Sequence, residues 1–500
     1  RSNMYRLLTG ATGLLGSYLV RDLAAAEIPT IALVRPSRFA DPASRVDAIL
    51  THWEDEWGRS LLRPIVMEGD ITQPLLGLER TDVNWLRRNC NRLLHSAASL
   101  TFEEKNGEPW RSNVDGTQHV LDLCGEAQIP YLEYVSTAYT CGLRNGTILE
   151  SELDVGQDFG NDYERSKVAA EGLVRDARHL SAYTVFRPSI IVGDSRTGYT
   201  TTFHGFYTPL RVAGALLSAV RLEDALNFDY LALLGMSGSE RKNFVPVDWV
   251  SRALLAISSR GPLANQTYAL TSPAPVEVGR LRRLFEQVVR GRQGPMEGQS
   301  GSRVGTDLAG GNGRSPGLDA FGTRFVEQFA VYRSYWRDDP DFDTSNTQRV
   351  IADIPCPQIT DPVLQMLCEY AIESNFGFPP PRLEPLEFSA RDWLAQFPAS
   401  QSASGSDADG FGLVVTGRGG GSWHISEDGD GNLHASPGGA QARLRARLNS
   451  ESLFALVSGR TTWEGAMAQG RVLLMGQVEE AGRLEAFFGA APIGKGRTGR

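Results

Sequence analysis

The sequence predicts an α/β protein with a doubly wound parallel sheet, followed by a smaller α+β domain at the C-terminal end. Three observations support this fold class. Short apolar runs alternate with amphipathic stretches up to about residue 195, a glycine-rich turn follows the first apolar run, and a Ser-rich stretch at residues 398–410 separates off the tail. Strands that alternate with helices at this spacing are typical of a parallel sheet with helical crossovers.

Each element of the sheet follows from its residue pattern. The predicted strands are short apolar and β-branched runs: Tyr5 to Thr9, Thr30 to Val34, Pro64 to Met67, Arg92 to His95, Tyr131 to Val135 and Tyr183 to Phe186. The clearest helices are amphipathic stretches: Leu14 to Ala26, Asn113 to Ala127 and Tyr163 to Leu180. We assign residues 1–397 to one domain, with a cofactor part over about 1–200 and a substrate part over about 201–397.

The substrate part has an irregular pattern, as expected where a subdomain is added to the sheet. Within it, the stretch from Gly291 to Gly322 is rich in Gly and Ser and has almost no apolar periodicity. Such a composition favours a loop over a packed element. We therefore interpret this stretch as a flexible excursion.

The tail, residues 411–495, is predicted to be a separate domain of roughly 90 residues, which is within the usual size range. The Ser-rich residues 398–410 are interpreted as its linker. Its predicted elements are the strands Gly412 to Thr416, Ser422 to Ser426 and Arg471 to Val478, an alternating stretch from Ala442 to Leu448, and a short helix from Ser450 to Ser458.

Bulk properties narrow the function classes. A chain of 500 residues is too long for one ordinary core, and its net charge of −9 argues against a nucleic-acid surface. Five scattered cysteines without a CxxC pair, and histidines without HxxxH spacing, predict no metal site and a reducing compartment. No apolar run approaches the ~20 residues of a membrane helix, and no secretion signal is recognisable, so a cytoplasmic location is expected.

A glycine loop occupies residues 9–16, with the sequence Thr-Gly-Ala-Thr-Gly-Leu-Leu-Gly. Gly10, Gly13 and Gly16 follow a predicted strand and precede a predicted helix. Glycine permits the sharp turn and the close approach of backbone to phosphate, and the helix N-terminus offers amide donors. A glycine motif alone arises often by chance, but this strand–loop–helix context predicts a dinucleotide-binding turn.

The end of the second strand predicts the type of cofactor. The strand is followed by Arg35 and Arg38, with no acidic residue before Asp41. An acid at this place would bind the ribose 2′-hydroxyl of NADH, whereas a basic residue accommodates the 2′-phosphate of NADPH. The alternative is that both arginines are simply solvated at the surface. We favour NADPH.

Tyr163 and Lys167 are four residues apart and so share one face of a predicted helix. The strand that precedes this unit ends in the hydroxyl residues Ser136 and Thr137. A phenol has a reference pKa of ~10, so proton exchange at neutral pH needs a cation nearby, and Lys167 is suitably spaced. In isolation, the pair could be an exposed aromatic and an exposed lysine. Beside a glycine loop, it predicts hydride transfer between a nicotinamide cofactor and a carbonyl.

Together these motifs resemble the extended short-chain dehydrogenase/reductases, and within them the branch of fatty-acyl-CoA reductases and thioester-reductase domains. The resemblance covers about the first 390 residues. It rests on residues 9–16, Gly69-Asp-Ile-Thr72, His95-Ser-Ala-Ala-Ser99, Asn113-Val-Asp-Gly-Thr117, Val135-Ser-Thr-Ala-Tyr139, Tyr163-Glu-Arg-Ser-Lys167, Phe186-Arg-Pro-Ser-Ile-Ile-Val-Gly193 and Asn243-Phe-Val-Pro-Val-Asp248. The glycine-rich excursion departs from the family pattern.

The resemblance implies roles for individual residues. Tyr163 would be the general acid, Lys167 its partner, which also holds the nicotinamide ribose, and Thr137, rather than the neighbouring Ser136, would bond the substrate oxygen. With the glycine loop and the two arginines, the predicted cofactor-binding residues are Gly10, Thr12, Gly13, Leu14, Leu15, Gly16, Arg35, Arg38, Asp70, Ile71, Ala97, Ala98, Tyr163, Lys167, Pro188, Ser189, Ile190 and Ile191.

The tail resembles sterol-carrier-protein-like lipid-binding domains over residues 442–476. In that family, the segment corresponding to Trp463 to Ala468 carries apolar side chains toward a lipid tunnel. The alternative is that the apolar residues form an ordinary small core: Leu453, Phe454, Leu456, Trp463 and Met467.

The predicted function is an NADPH-dependent reductase of a long apolar carbonyl substrate. The favoured substrate is an acyl thioester, which would be reduced to an aldehyde or an alcohol. Coenzyme A or an acyl carrier protein would deliver the substrate. A ketone reductase acting on a sterol, polyketide or β-keto lipid uses the same residues and stays open. So does a non-catalytic lipid-binding protein, although such a protein does not need the pair of Tyr163 and Lys167. Whether the chain forms a homodimer is also open.

Overall fold

The structure is a computed structural model, and it describes residues 4–37, 40–211, 230–233, 235–262, 264–292, 330–378, 387–399, 410–417, 419–438, 442–477 and 481–490. Three predictions lie outside these residues, wholly or in large part: Arg38, the glycine-rich excursion beyond Arg292, and the linker between residues 400 and 409.

The strands are short, as in most parallel sheets. In chain order they are β1 (Tyr5–Thr9), β2 (Thr30–Val34), β3 (Ile65–Glu68), β4 (Cys90–His95), β5 (Tyr131–Val135), β6 (Thr147–Ile148), β7 (Ala182–Pro188), β8 (Ile190–Val192), β9 (Arg241–Lys242), β10 (Phe244–Pro246), β11 (Gln266–Leu270), β12 (Val276–Glu277), β13 (Asp341–Phe342), β14 (Gly410–Thr416), β15 (Gly421–Glu427), β16 (Leu433–Pro437), β17 (Leu444–Asn449) and β18 (Val472–Gly476).

The α-helices of the described residues vary from one turn to four. They are α1 (Leu14–Ala25), α2 (Pro42–Trp57), α3 (Arg80–Asn89), α4 (Gly116–Glu126), α5 (Asp162–Asp176), α6 (Tyr230–Leu233), α7 (Val247–Arg260), α8 (Val278–Arg292), α9 (Ser345–Ile351), α10 (Asp361–Glu373), α11 (Ala390–Leu394), α12 (Ser450–Val457), α13 (Trp463–Ala468) and α14 (Gly482–Ala490).

The main sheet has seven strands in the order β11-β7-β5-β4-β1-β2-β3. Strand β1 pairs in parallel with β2 and β4, and β7 pairs in parallel with β11. All five residues of β2 are buried, as expected for a strand covered by helices on both faces. The order reverses at β1, so the sheet is doubly wound, which confirms the predicted fold class.

Two compact units divide the chain. The first contains residues 1–97, 119–132 and 382–500, and the second contains residues 98–118 and 133–381. In the second unit, an apolar core forms around helices α8 and α10, with Phe206, Leu284 and Leu367 among its buried members.

The C-terminal residues of the first unit form a second, five-stranded sheet in the order β16-β15-β14-β17-β18. This sheet is mixed, because β14 pairs in parallel with β17 while its other neighbours are antiparallel. Its buried core includes Phe411, Leu444, Leu453 and Phe487. The α+β class predicted for the tail is confirmed; strand β16 and helix α14 were not among the predicted elements.

Candidate active site

The glycine loop connects β1 to α1 in the first unit. Gly10 has a φ of +75°, and its carbonyl accepts a 3.0 Å hydrogen bond from the amide of Gly13. A Cβ atom at Gly10 would lie 2.6 Å from the amide nitrogen of Ala97, and one at Gly16 would lie 1.9 Å from the Gly10 carbonyl oxygen. Both positions therefore require glycine, for conformation at one and for space at the other.

Helix α1 begins directly after the loop, with Gly13 as its N-cap and no side chain bonded to the cap. The helix has 12 residues. Its first-turn amides, which include those of Leu14 and Leu15, carry the partial positive charge of a helix N-terminus. This turn fits the pyrophosphate of a dinucleotide, as the sequence predicts.

Thr9 fixes the position of Ala97 beside the loop. Its hydroxyl lies 2.7 Å from Nδ1 of His95 and accepts hydrogen bonds from the amides of Ser96 and Ala97, at 3.2 and 3.3 Å. The end of β4 is thus tied to the end of β1 beneath Gly10. His95 begins the motif at residues 95–99, which contributes to the family resemblance. No role in the site was predicted for His95 or for Thr9.

Arg35 is exposed at the end of β2, where the sequence placed it. A second arginine, Arg45 of α2, donates a 2.9 Å hydrogen bond to the Arg35 carbonyl and another of 2.9 Å to the Thr12 hydroxyl of the glycine loop. Burial, and next the charge of Arg35, lower the pKa of Arg45. The Arg45 guanidinium therefore lies beside the loop, and its charge interacts with that of Arg35. Arg45 was missed because only the fold brings it there.

Asp70 and Ile71 follow β3. The amide of Gly69 donates to the carbonyl of Val34, which places this turn at the end of β2. One carboxylate oxygen of Asp70 accepts bonds from the amide and the hydroxyl of Thr72, both at 2.9 Å. The carbonyl of Ile71 accepts a 2.8 Å bond from His119 Nδ1. Oδ1 of Asp70 therefore stabilises the turn between Asp70 and Thr72, whereas Oδ2 accepts no hydrogen bond from Thr72.

Tyr163 and Thr137 meet in the second unit. Tyr163 lies in the first turn of α5, which Asn161 caps through a 2.9 Å bond to the amide of Glu164. Burial raises the pKa of Tyr163 to about 12, a hydrogen bond with Thr137 opposes the rise, and the Glu164 charge adds to it. The Thr137 hydroxyl therefore lies within hydrogen-bonding distance of the phenol.

Lys167 has other partners than the sequence suggested. Its side chain is buried, and its Nζ donates to the Tyr134 hydroxyl at 2.7 Å and to the Val135 carbonyl at 2.8 Å. The nitrogen also lies 4.3 Å from the centroid of the Tyr134 ring. Burial lowers the pKa of Lys167 to about 7, while the Glu171 charge opposes this. Lys167 is not among the groups that shift the pKa of Tyr163, where burial is the largest cause.

Tyr134 is the residue of this cluster that sequence reasoning missed. It is 1% exposed, and it also shares a hydrogen bond with Thr117. Thr117 in turn donates a 2.6 Å bond to the carbonyl of Asn113. The signal was weak, because a tyrosine in a buried strand is usually an ordinary core residue.

Ser136 is engaged away from the phenol. Its hydroxyl donates a 2.7 Å bond to Glu171, whose carboxylate is also bound by Arg187 at 2.7 Å and by Arg175 at 2.7 Å. Two arginines hold the pKa of Glu171 below its ordinary value despite burial. Ser136 therefore belongs to a buried ionic group, which leaves Thr137 as the hydroxyl beside Tyr163.

Asn113 ties the residues after β4 to helix α5. Its side-chain amide donates to the Ser166 hydroxyl at 2.9 Å and to the Ser99 carbonyl at 3.1 Å, and its oxygen accepts the Ser99 amide at 2.7 Å. Ala98, a predicted cofactor residue, directly precedes this anchored segment. No role was predicted for Asn113, although it lies in a family-like motif.

The residues after β7 lie against the Asn243 segment. Ser189 is buried and donates a 2.7 Å bond to the Asn243 side chain. Ile190 and Ile191 pair in register with Phe244 and Val245, and Pro188 ends β7. The structure thus joins two motifs, residues 186–193 and 243–248. Because the Ser189 hydroxyl donates to Asn243, Ser189 helps to hold these two motifs together.

Comparison with known proteins shows which family this part of the chain is similar to. Residues 8–254 match a family of NAD-binding domains described as "Male sterility protein". These residues are therefore similar to that family, and we refer to them as the male sterility protein segment. The match includes the glycine loop, Thr137, Tyr163, Lys167 and the Asn243 segment.

Two relatives of the male sterility protein segment are similar over part of their own length. A linear gramicidin synthase protein of Brevibacillus parabrevis is 25% identical over 379 residues, which are 73% of this chain and 7% of that protein. "Fatty acyl-CoA reductase wat" of Drosophila melanogaster is 27% identical over 282 residues, 50% of this chain and 53% of that protein. The chain therefore spans about half of one relative and a small part of the other.

A solved structure shares the fold. The terminal R domain from the myxalamid PKS-NRPS biosynthetic pathway superposes with a TM-score of 0.57 and 23% identity. The superposition covers 75% of this chain and 92% of that domain. It supports the assignment of the Rossmann-like sheet in the male sterility protein segment.

An aromatic cluster centred on Phe102 lies next to Tyr163 in the second unit. The Phe102 ring lies 5.8 Å from the Tyr163 ring, 5.2 Å from Tyr332 and 5.5 Å from Tyr335, each between centroids in an edge-on arrangement. Tyr332 and Tyr335 come from the short turn Ala330–Tyr335, which lies beyond the male sterility protein segment. The Tyr163 ring therefore lies at the edge of an aromatic cluster.

The apolar side chains singled out in the tail divide into two groups. Leu453 and Leu456 are buried in the core of the C-terminal sheet. Trp463 and Met467 are only partly buried, and the Trp463 ring stacks on Phe488 at 5.2 Å. Among the described residues, no helix could cross a membrane and no cluster of His, Cys, Asp or Glu could hold a metal ion.

Proposed function

We propose that the chain is an NADPH-dependent reductase of a long apolar acyl thioester, which it converts to an aldehyde or an alcohol. The observation that carries this proposal is the buried cluster of Tyr163, Thr137 and Lys167 in a chain that also has a dinucleotide-type glycine loop. A binding protein has no need of a phenol and a buried ammonium held in this way.

NADPH is favoured over NADH by the two arginines at the end of β2. Arg35 is exposed there, and Arg45 is fixed between it and Thr12. A guanidinium pairs bidentately with phosphate, and two of them repel each other less when a phosphate dianion lies between them. When bound, NADPH would supply the hydride.

The chain's own residues would handle the substrate oxygen. Thr137 and Tyr163 both offer hydroxyl groups, and these would stabilise the negative charge that develops on the carbonyl oxygen. With a pKa of about 12, Tyr163 keeps its proton at neutral pH and is ready to donate it. Addition of hydride to carbon and of this proton to oxygen gives a hemithioacetal, which releases a thiol and leaves an aldehyde.

The substrate class is inferred from the surroundings of the phenol and from the relatives. Phe102, Tyr332 and Tyr335 would pack against an apolar chain. The relatives include a fatty acyl-CoA reductase and a linear gramicidin synthase protein. We therefore propose coenzyme A or a carrier protein as the carrier of the thioester.

We also propose that the C-terminal domain binds an apolar ligand, as the sterol-carrier-like pattern suggests. The partly buried Trp463 and Met467 support this, since they lie at the margin of the core rather than inside it. The tail would then present the lipid to the reductase.

The test is a product assay on the 500-residue chain with NADPH and a panel of long-chain acyl-CoAs, carrier-bound thioesters, β-keto thioesters and ketosteroids. Mass spectrometry should detect aldehyde or primary alcohol from the thioesters. Formation of secondary alcohol alone would make the chain a ketone reductase instead. Binding of lipid without any reduced product would favour the non-catalytic alternative.

A further inference from the structure

The C-terminal domain touches the first turn of α2 through a hydroxyl shared by two carboxyl groups. Ser44 Oγ contacts both a carboxyl oxygen of Glu451, in the first turn of α12, and Oδ2 of Asp41, the latter at 2.6 Å. A hydroxyl has a single proton and can donate to only one of them. One of the two carboxyl groups must therefore carry a proton and donate it to Ser44.

Glu451 is the carboxyl that holds this proton. Asp41 is the N-cap of α2, and its Oδ1 accepts bonds from the amides of Ala43 and Ser44, both at 3.0 Å. Because Asp41 accepts both of these bonds at the helix N-terminus, it takes the acceptor role in the contact with Ser44 as well. The order of donation is then from Glu451 to Ser44 and from Ser44 to Asp41.

The charges around Glu451 are consistent with this assignment. Burial, and the neighbouring charges of Asp41 and Asp47, raise the pKa of Glu451 to about 7, against the hydrogen bond with Ser44. The charge of Arg471, which directly precedes β18, interacts with Glu451, but its Nη1 also lies 3.8 Å from Asp47, which accepts a 2.8 Å bond from Arg63. Deprotonation would therefore place a third carboxylate beside Asp41 and Asp47.

The first turn of α2 also contains Arg45, the arginine proposed to bind the phosphate of NADPH. Arg45 directly follows Ser44, and its amide donates a 3.2 Å bond to the Asp41 carbonyl. Its guanidinium reaches Arg35 and the Thr12 hydroxyl of the glycine loop. A shift of the first turn of α2 would therefore move this guanidinium relative to the loop.

We propose that Glu451 is a positioning residue for Arg45, so that the C-terminal domain sets how tightly the chain binds the 2′-phosphate of NADPH. This inference rests on the proposed use of NADPH. It assigns the C-terminal domain a role in cofactor binding in addition to any lipid that it carries.

The test compares NADPH and NADH binding to the intact chain by calorimetry. Glu451→Ala should weaken NADPH binding at pH 6 by about fivefold or more, with less than a twofold change for NADH. Glu451→Gln keeps a neutral donor and should bind NADPH as the wild type does at this pH. Glu464→Ala removes an exposed carboxyl from the first turn of another helix of the same domain and serves as the matched control.

A pH series supplies a second, independent measurement. A carboxyl with a raised pKa keeps its proton below about pH 7, so the contact is intact there and is lost as the pH rises through that value. The wild type should match Glu451→Gln at pH 6 and bind NADPH several-fold more weakly than that variant at pH 8. Expressing affinity as a ratio to the Gln variant cancels the titration of the cofactor phosphate.

The outcomes separate this inference from the proposed function. Arg45→Gln should reduce NADPH binding by more than tenfold; if it does not, the proposed cofactor preference fails. If Arg45→Gln has that effect while Glu451→Ala binds both cofactors as the wild type does, the positioning role is refuted and the cofactor assignment stands. Equal losses for NADH and NADPH in Glu451→Ala would also refute it, since the effect would not involve the phosphate.

Discussion

The ammonium group of Lys167 donates a 2.7 Å hydrogen bond to the hydroxyl of Tyr134, 33 positions earlier in the chain. The Tyr134 ring also lies 4.3 Å from the same nitrogen. This tyrosine supplies both an acceptor and a π face to a cation that is otherwise desolvated. Because burial already lowers the pKa of Lys167 to about 7, the loss of either contact should alter its charge near neutral pH.

Tyr134→Phe should lower the pKa of Lys167 further, since a hydrogen bond to a charged group stabilises the ammonium by ~1.5–3 kcal/mol. If the ammonium is the active form, turnover falls as the pH rises through the Lys167 pKa, and the variant's fall should begin about one pH unit lower. The measurement is the pH profile of kcat/KM. Tyr268→Phe, which removes the hydroxyl of another buried tyrosine of the same unit, should leave the profile unchanged.

Tyr163→Phe should reduce turnover by ~10²-fold or more, the usual scale for loss of a general acid, and leave NADPH binding largely intact. The phenol has a pKa raised to about 12, so its proton is present throughout the neutral range. Single-turnover rates at saturating NADPH are the measurement. Turnover close to that of the wild type would exclude Tyr163 from the chemistry.

Arg35→Ala should weaken NADPH binding and change NADH binding little. Arg35 is exposed, so its loss removes a partner of the phosphate without disturbing the core. Fluorescence titration with both cofactors measures the effect. A wild-type preference for NADH, or equal losses for both cofactors, would show that this arginine does not recognise phosphate.

Truncation before Gly410 should have three separable effects. It exposes surfaces of the first unit that now contact the tail, including Asp82, which pairs with Arg447 at 2.7 Å, and Arg63, whose amide bonds to Gln469. The melting temperature should therefore fall by ~4 °C or more. Turnover on short soluble substrates at saturating NADPH should change little, whereas efficiency on long-chain thioesters should fall, because tethering raises the local concentration of the substrate.

The control for this truncation is Arg447→Gln, which breaks the pair with Asp82 but keeps the domain. It should lower the melting temperature less than truncation and leave long-chain kinetics intact. Unchanged long-chain kinetics in the truncated chain would make the tail a structural appendage. Complete loss of activity would mean instead that the tail completes the reductase fold.

Much of the fold can be predicted from the sequence because each strand and helix leaves a pattern in neighbouring residues. Strands β1, β2 and β5 begin and end at the residues predicted for them, and α1 differs from its predicted range by one residue at its end. Helix α5 ends at Asp176 rather than Leu180, since Ala177 leaves the helical conformation with a ψ of 88°. Strand β16 was missed because its residues, Leu433 to Pro437, are mostly polar or half-exposed.

The sequence by itself determined the glycine loop and the helical pairing of Tyr163 with Lys167, because each depends on neighbouring residues. It also determined the class of the sheet, because each strand and helix leaves its own local pattern and these patterns alternate along the chain. Only the tertiary structure decided which groups those residues meet. Lys167 meets Tyr134, Thr12 meets Arg45, each pair 33 positions apart, and Ser44 meets Glu451, 407 positions away. Such contacts depend on how strands and helices pack, and burial in that packing then sets the charges of the groups.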